Sequence, residues 1–93
     1  MRVKLFSIYD RKAKVYMAPF VARSETDAIR QITSSLRDPQ MRETPVFQHP
    51  DDFDVRVVAD FDDETGQISP FVPAHMVATI AELAPAPSST VTS

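Results

Sequence analysis

Residues 53–61 read "FDVRVVADF", an almost strict alternation that puts Phe53, Val55, Val57, Ala59 and Phe61 on one side and Asp54, Arg56, Val58 and Asp60 on the other. A period of two is the mark of a strand with one face buried, so this stretch predicts a β-strand with an apolar inner face. The polar segment "DDETGQ" follows, and residues 68–72 can return as a short strand stopped by Pro70 and Pro73. A turn closing at Gly66, the chain's only glycine, accounts for the four carboxylates within residues 60–64, because glycine takes positive φ without steric cost. A calcium loop fits less well. Asp60, Asp62 and Glu64 alternate as its first ligands would, but the glycine falls one place late and the twelfth position is Phe71. A two-carboxylate hydrolase needs acids facing each other across a cleft, whereas these crowd onto one tip.

Working outward from this hairpin, residues 3–9, "VKLFSIY", and 14–22, "KVYMAPFVA", are rich in β-branched and aromatic side chains and are joined by the short polar link "DRKA". A hairpin over that link opposes Tyr9 to Lys14, Ser7 to Tyr16, Leu5 to Ala18 and Val3 to Phe20, and directly opposed residues share a face. One face then carries Lys4, Phe6, Ile8, Val15, Met17, Pro19 and Val21 and suits a core. The other carries Val3, Leu5, Ser7, Tyr9, Lys14, Tyr16 and Phe20. Pro19 lacks an N–H for the ladder, which puts this strand at an edge or a bulge.

Ser24 followed by Glu25 and Asp27 is a helix-start signal, and Ala28, Ile29, Ile32 and Leu36 recur at helical spacing, so a helix is predicted over 25–37. Pro39, Pro45 and Pro50 interrupt residues 38–52, which read as a loop tacked to the core by Met41, Val46 and Phe47. Residues 74–83 suit a short C-terminal helix or coil. Residues 85–93 are Pro/Ser/Thr-rich, with too little apolar surface to order themselves. The expected architecture is a single α+β domain over residues 1–84. It is a ββαββ arrangement in which one helix covers one face of an antiparallel sheet, with a disordered tail over 85–93.

With 93 residues and no cysteine, the core is modest and no disulfide can staple it, which leaves oligomerisation, a homodimer, as the natural source of extra stability. The two histidines, His49 and His75, are too few and too separated for a histidine zinc site, so no metal or cofactor is expected. No glycine-rich phosphate loop can be built from a single glycine. His49 stands beside Asp51 and Asp52, but with no nucleophile in a definite relation to it the segment reads as a His-Pro turn, and the chain reads as a non-enzyme. No apolar run approaches a membrane span and no signal peptide is visible, which points to a soluble intracellular protein.

The net charge of −3 conceals an asymmetry. Residues 1–50 hold nine Lys/Arg against five Asp/Glu, whereas residues 51–93 hold Arg56 alone against eight acids. Tyr9, Lys14 and Tyr16, with Arg11 and Lys12 at the hairpin tip, combine aromatic faces for stacking with cations for phosphates, the combination that holds single-stranded nucleic acid. Aromatic residues on a sheet face also pack against partners, and Phe20, Leu5 and Val58 are the candidate interface residues. Asp54 and Asp60, outward on the same sheet, oppose the nucleic-acid reading.

Taken in order, "VKLFSIYDRKAKVYMAPF", "DAIRQI", "DP", "HPDDF" and "FDDETGQI" resemble the small nonstructural protein of gokushovirus-type microviruses, the small single-stranded DNA phages. The family pattern maps onto Lys4 to Asp10, Lys12 and Ala13, Pro19 and Phe20, Ala28 to Arg30, His49 to Asp52, and Phe61 to Gly66, and so covers about residues 3–68. Residues 39–48 are longer than the family's link, Ala59-Asp60 replaces a common leucine-glycine pair, and the chain after Pro70 has no counterpart in the pattern. The resemblance implies a replication-stage phage protein of the host bacterial cytoplasm. It would bind single-stranded DNA or assist its synthesis and packaging, or else bind itself, a capsid or replication protein, or a host factor. No catalytic residue comes with the match.

Overall fold

The computed structural model describes residues 2–84. The chain forms β1 (Arg2–Asp10), β2 (Val15–Tyr16), β3 (Phe20–Ala22), α1 (Glu25–Leu36), α2 (Pro45–Gln48), β4 (Phe53–Asp62), β5 (Ile68–Thr79) and α3 (Ile80–Leu83). The α+β architecture is the expected one, an antiparallel sheet with one main helix against one face. The expected tail over 85–93 lies outside the described residues. No described helix is long and apolar enough to cross a membrane.

The sheet is centred on a pairing between β1 and β4, with β2 and β3 along the outer side of β1 and β5 along the outer side of β4. Phe6 opposes Val57, Ile8 opposes Val55 and Asp10 opposes Phe53. Alternation on both strands therefore turns Phe6, Phe53, Val55 and Val57 to the same side, where they meet Ala28, Ile32 and Leu36 of α1, with Ala22, Val46 and Ile80 closing the core. The helix begins as its sequence predicts: Ser24 Oγ accepts the Asp27 N–H at 3.1 Å, while Asp27 Oδ2 accepts the Arg23 N–H at 3.1 Å.

Four departures from the sequence reading have physical causes. The first hairpin turns one residue later than predicted, since Asp10 Oδ1 accepts the N–H groups of Lys12 and Ala13 and Lys14 takes the left-handed conformation at φ 61°. Tyr9 thus opposes Tyr16, and Phe6 opposes Phe20 beyond the unpaired residues 17–19. Phe20 consequently lies on the helix side, its ring 6.0 Å from Phe6, whereas Val21, expected in the core, is exposed, as are Val15 and Met17.

Residues 38–52 are a series of short turns rather than a loop. Pro39, Pro45 and Pro50 each stand at a helix-starting position, where a preset φ favours the turn they were expected to prevent. Asp38 and Thr44 cap the first two turns.

In the third departure, β5 continues through Pro70 and Pro73 to Thr79, so residues 74–79 are strand, and only residues 80–83 are helical. Pairing with the ten-residue β4 outweighs the local helical pattern, and the prolines are tolerated because β5 is an edge strand. Partners jump from Ala59–Pro70 to Val57–His75, and the intervening bulge is bridged by Phe71 and His75, stacked at 5.0 Å.

Finally, a one-residue shift in β4, between the Leu5–Ala59 and Phe6–Val57 pairs, reverses the faces of the strand's distal half. Asp60 is thereby brought opposite Lys4, whose Nζ lies 3.4 Å from its Oδ1, instead of sharing the outer face with Asp54.

The turn between β4 and β5 is fixed by Asp62, whose Oδ1 accepts the N–H of Glu64 at 2.9 Å and of Thr65 at 3.3 Å, with Gly66 at φ 79° closing it. The Glu64 N–H is the main cause that holds the Asp62 carboxyl below its ordinary pKa. A depressed carboxyl adds stability above its unfolded pKa and loses it as pH falls through the folded value. Asp62→Ala should therefore lower Tm at pH 7, and its gap from the parent protein should close as the pH falls well below 4. Melting curves across that range test this, and a gap independent of pH would contradict it.

Candidate nucleic-acid interface

The face of the sheet turned away from α1 is assembled by three pairings. Tyr9 opposes Tyr16 on one side and Asp54 on the other, and Ser7 opposes Arg56. Opposed residues share a face, so two tyrosines from β1 and β2 stand beside an acid and a base from β4. Met76 opposes Arg56 from β5 and is 53% exposed.

Arg56 organises the group. Its guanidinium carbon stands 4.2 Å above the Tyr9 ring and 5.9 Å from the Tyr16 ring, Nη1 donates to Tyr16 Oη at 3.2 Å, and Nη2 donates to Asp54 Oδ2 at 3.1 Å. The tyrosine rings are 4.6 Å apart, tilted by 45°. A planar cation over an aromatic face gains from the ring quadrupole as well as from its hydrogen bonds. Burial presses the Arg56 pKa down, but the Tyr16 hydroxyl and the Asp54 carboxylate together outweigh it and leave the pKa raised, so the group is always a cation.

Asp54 is the buried member, 2% exposed. Its second oxygen, Oδ1, lies 3.3 Å from Arg11 Nε, an ion-pair distance without hydrogen-bond alignment. Arg56 Nε is also buried without a hydrogen-bond partner. An acid in this setting is tolerable only because two guanidinium groups neutralise it.

The expected contact residues fall in two environments. Arg11, Lys12 and Lys14 project from the β1–β2 turn and are exposed. Tyr16 is 45% exposed, whereas Tyr9 is half-buried with one face under Arg56. The Arg11 N–H donates to Asp52 O at 2.9 Å, which draws the segment before β4 to the tip. With Arg11 paired to Asp54, Lys12 and Lys14 carry the tip's cationic excess.

Of the candidate interface residues, Leu5 is half-buried on the open face opposite Val21, Val58 occupies the β4 register shift, and Phe20 belongs to the helix side. An open apolar groove of about 290 Å³, lined by Ile8, Phe20, Ile32, Leu36, Met41 and Val46, lies on that helix side, away from the cations.

Sequence reasoning missed Arg56 as the organiser. The available signal was its standing as the one cation of residues 51–93, at an outward position of the clearest strand. Asp54, expected to repel phosphate from that face, is instead enclosed and neutralised.

The family described as Phage ORF5 protein matches residues 3–83, a span that takes in every described strand and helix except Arg2, the first residue of β1. No curated protein and no solved structure matches the chain.

Removing Arg56 would leave Asp54 buried with a single poorly aligned partner. Arg56→Ala should cost about 3 kcal/mol, in the range for breaking a buried pair from one side. In an Asp54→Asn background the same change should cost clearly less, because no buried charge is stranded. Chemical denaturation of the four proteins in this cycle tests the coupling, and simple additivity would refute it.

Proposed function

This chain belongs to the Phage ORF5 protein family, and we propose that it is a non-enzymatic nonstructural protein of a gokushovirus-type microvirus, binding single-stranded phage DNA in the host bacterial cytoplasm during replication or packaging. The observation that carries this reading is the neutralisation of Asp54 by Arg11 and Arg56. With that acid masked and Asp60 displaced to the other side of the sheet, the open face offers Tyr16 and the guanidinium plane of Arg56 next to Lys12 and Lys14.

The roles follow from the chemistry. An unstacked base can lie on an aromatic ring or a guanidinium plane, a contact worth about 1–3 kcal/mol per base. Lys12, Lys14 and Arg11 stand where the phosphates of such a strand would pass. With about three phosphates neutralised, the logarithm of affinity should fall with the logarithm of salt at a slope of about −2. Fluorescence anisotropy of a labelled oligothymidylate at low salt should show binding that weakens on this slope. Lys12→Glu and Lys14→Glu should each reduce affinity about tenfold. Absence of binding at tens of micromolar protein in low salt would sink the reading.

A second reading, a protein-contact surface with no direct DNA contact, has its own support. Tyr16, Val21, Ile68 and Met76 are between 45% and 55% exposed and lie on residues that the strand pairings assign to the open face. Strand addition at the sheet's edges is disfavoured by Pro19 on one side and Pro70 and Pro73 on the other, so a partner would use the face. The partner would be a second copy, a capsid or replication protein, or a host factor. Light scattering at tens of micromolar protein should then give a dimer mass that Val21→Glu reduces to a monomer, and a monomer in the parent protein would remove self-association.

A further inference from the structure

We infer that Asp54 is an internal competitor for the DNA phosphate, occupying Arg11 in the free protein and releasing it to the strand when one is bound. This rests on the single-stranded DNA reading above and adds a restraint on affinity that is built into the site.

The two oxygens of Asp54 are held differently. Oδ2 accepts a proper hydrogen bond from Arg56 Nη2 at 3.1 Å, and Arg56 is itself fixed by the Tyr16 hydroxyl and the Tyr9 ring. Oδ1 has only the Arg11 contact at 3.3 Å and no hydrogen bond. The Arg11 side chain is 46% exposed, while its backbone N–H is tied to Asp52 O. Arg11 can therefore swing away while the turn stays in place. What Asp54 loses is one misaligned ion pair, and it keeps its aligned one. What Arg11 gains is a phosphate oxygen, an acceptor to which a guanidinium can donate two parallel hydrogen bonds.

The exchange has a cost in charge. While Asp54 is ionised it cancels one of the two arginines, so the strand meets one net positive charge from this trio and not two. An asparagine at the same position keeps an oxygen acceptor for Arg56 Nη2 and removes the competing charge.

The experiment is an oligothymidylate titration at several salt concentrations with the parent protein, Asp54→Asn, Arg11→Gln and the double variant, each checked for folding by circular dichroism. Asp54→Asn should bind about fivefold tighter with the parent's salt slope, because Arg11 reaches the same phosphate in both proteins and only the competition for it is removed. The double variant should lose that gain. Arg11→Gln alters an exposed side chain, so it stays informative even if Asp54→Asn does not fold. It should bind more weakly than the parent, with a slope shallower by about 0.7.

A folded Asp54→Asn with unchanged or weaker binding would overturn the inference and leave the DNA reading standing. An Arg11→Gln protein that binds like the parent would do the same. If neither the parent nor Asp54→Asn binds at low salt, both fall together. Binding by Asp54→Asn alone would sink the DNA reading for the parent protein, and the inference with it.

Discussion

The β1–β4 pairing is the constraint on which the rest depends. It joins residues 2–10 to residues 53–62 across more than forty intervening positions, so its closure entropy is offset only when both faces of the pair find partners. One face does so through α1. Phe6, Val55 and Val57 are buried there with Ala28, Ile32 and Leu36, and this is the bulk of what so small a chain can remove from water. The other face has no covering element among the described residues and satisfies its polar groups within itself: Ser7 donates to Met17 O at 2.6 Å and Asp54 is taken up by the arginines. A shift of β4 by one residue against β1 would send Val55 and Val57 to the open face and Arg56 into the core, so the core and the candidate site are selected by the same alignment.

The bulges matter because the register is so strict. The one-residue irregularity opposite Leu5 and Phe6 reverses the distal half of β4, with two consequences. Ala59 and Phe61 come onto the open face beside Val3 and Leu5 of β1, which makes its distal half apolar. Asp60 leaves that face and meets Lys4. An unbroken β4 would have set Asp54 and Asp60 on one surface, where their repulsion of phosphate would add. The irregularity divides them, and at the distal end Asp62 serves the turn through the N–H groups of Glu64 and Thr65.

Much of this was legible in the sequence wherever the signal was local. The alternation of residues 53–57, the cap formed by Ser24 and Asp27, the α1 positions Ala28, Ile32 and Leu36, and the turn at Gly66 each depend on near neighbours in the chain. The tip cations and a face shared by Tyr9 and Tyr16 were likewise visible, though the sequence reading opposed Tyr9 to Lys14 and not to Tyr16. Contacts set by distant strands were not. Alternation says that a strand has two faces but not which strand lies beside it, so the pairing of Tyr9 with Asp54, and with it the place of Arg56, could not be read. The same holds for residues 74–79, where a helical pattern yields to the hydrogen bonds that β4 offers. Phe20 changed faces because a hairpin register depends on where its turn closes, and the closing groups, the Asp10 carboxylate and the left-handed Lys14, are not distinguishable from other polar turn residues in advance.

The buried Asp54 is the feature that stability alone explains least. Burying a carboxylate between two guanidinium groups regains by attraction roughly what it loses in desolvation, and a well-packed apolar trio in similar places is often as stable or more so. A sheet selected for stability could cover this region with leucine and valine, as its distal half already does. The polar trio does something an apolar one cannot: it holds a guanidinium over the Tyr9 ring and against the Tyr16 hydroxyl, with the charge partly cancelled, on a face that no described element covers. Full cancellation would leave a neutral platform with no pull on a polyanion, and no cancellation would leave two arginines crowded beside Lys12 and Lys14. An acid bound firmly at one oxygen and loosely at the other sits between these limits, and under the proposed binding of a polyanion that is the use of aspartate at position 54.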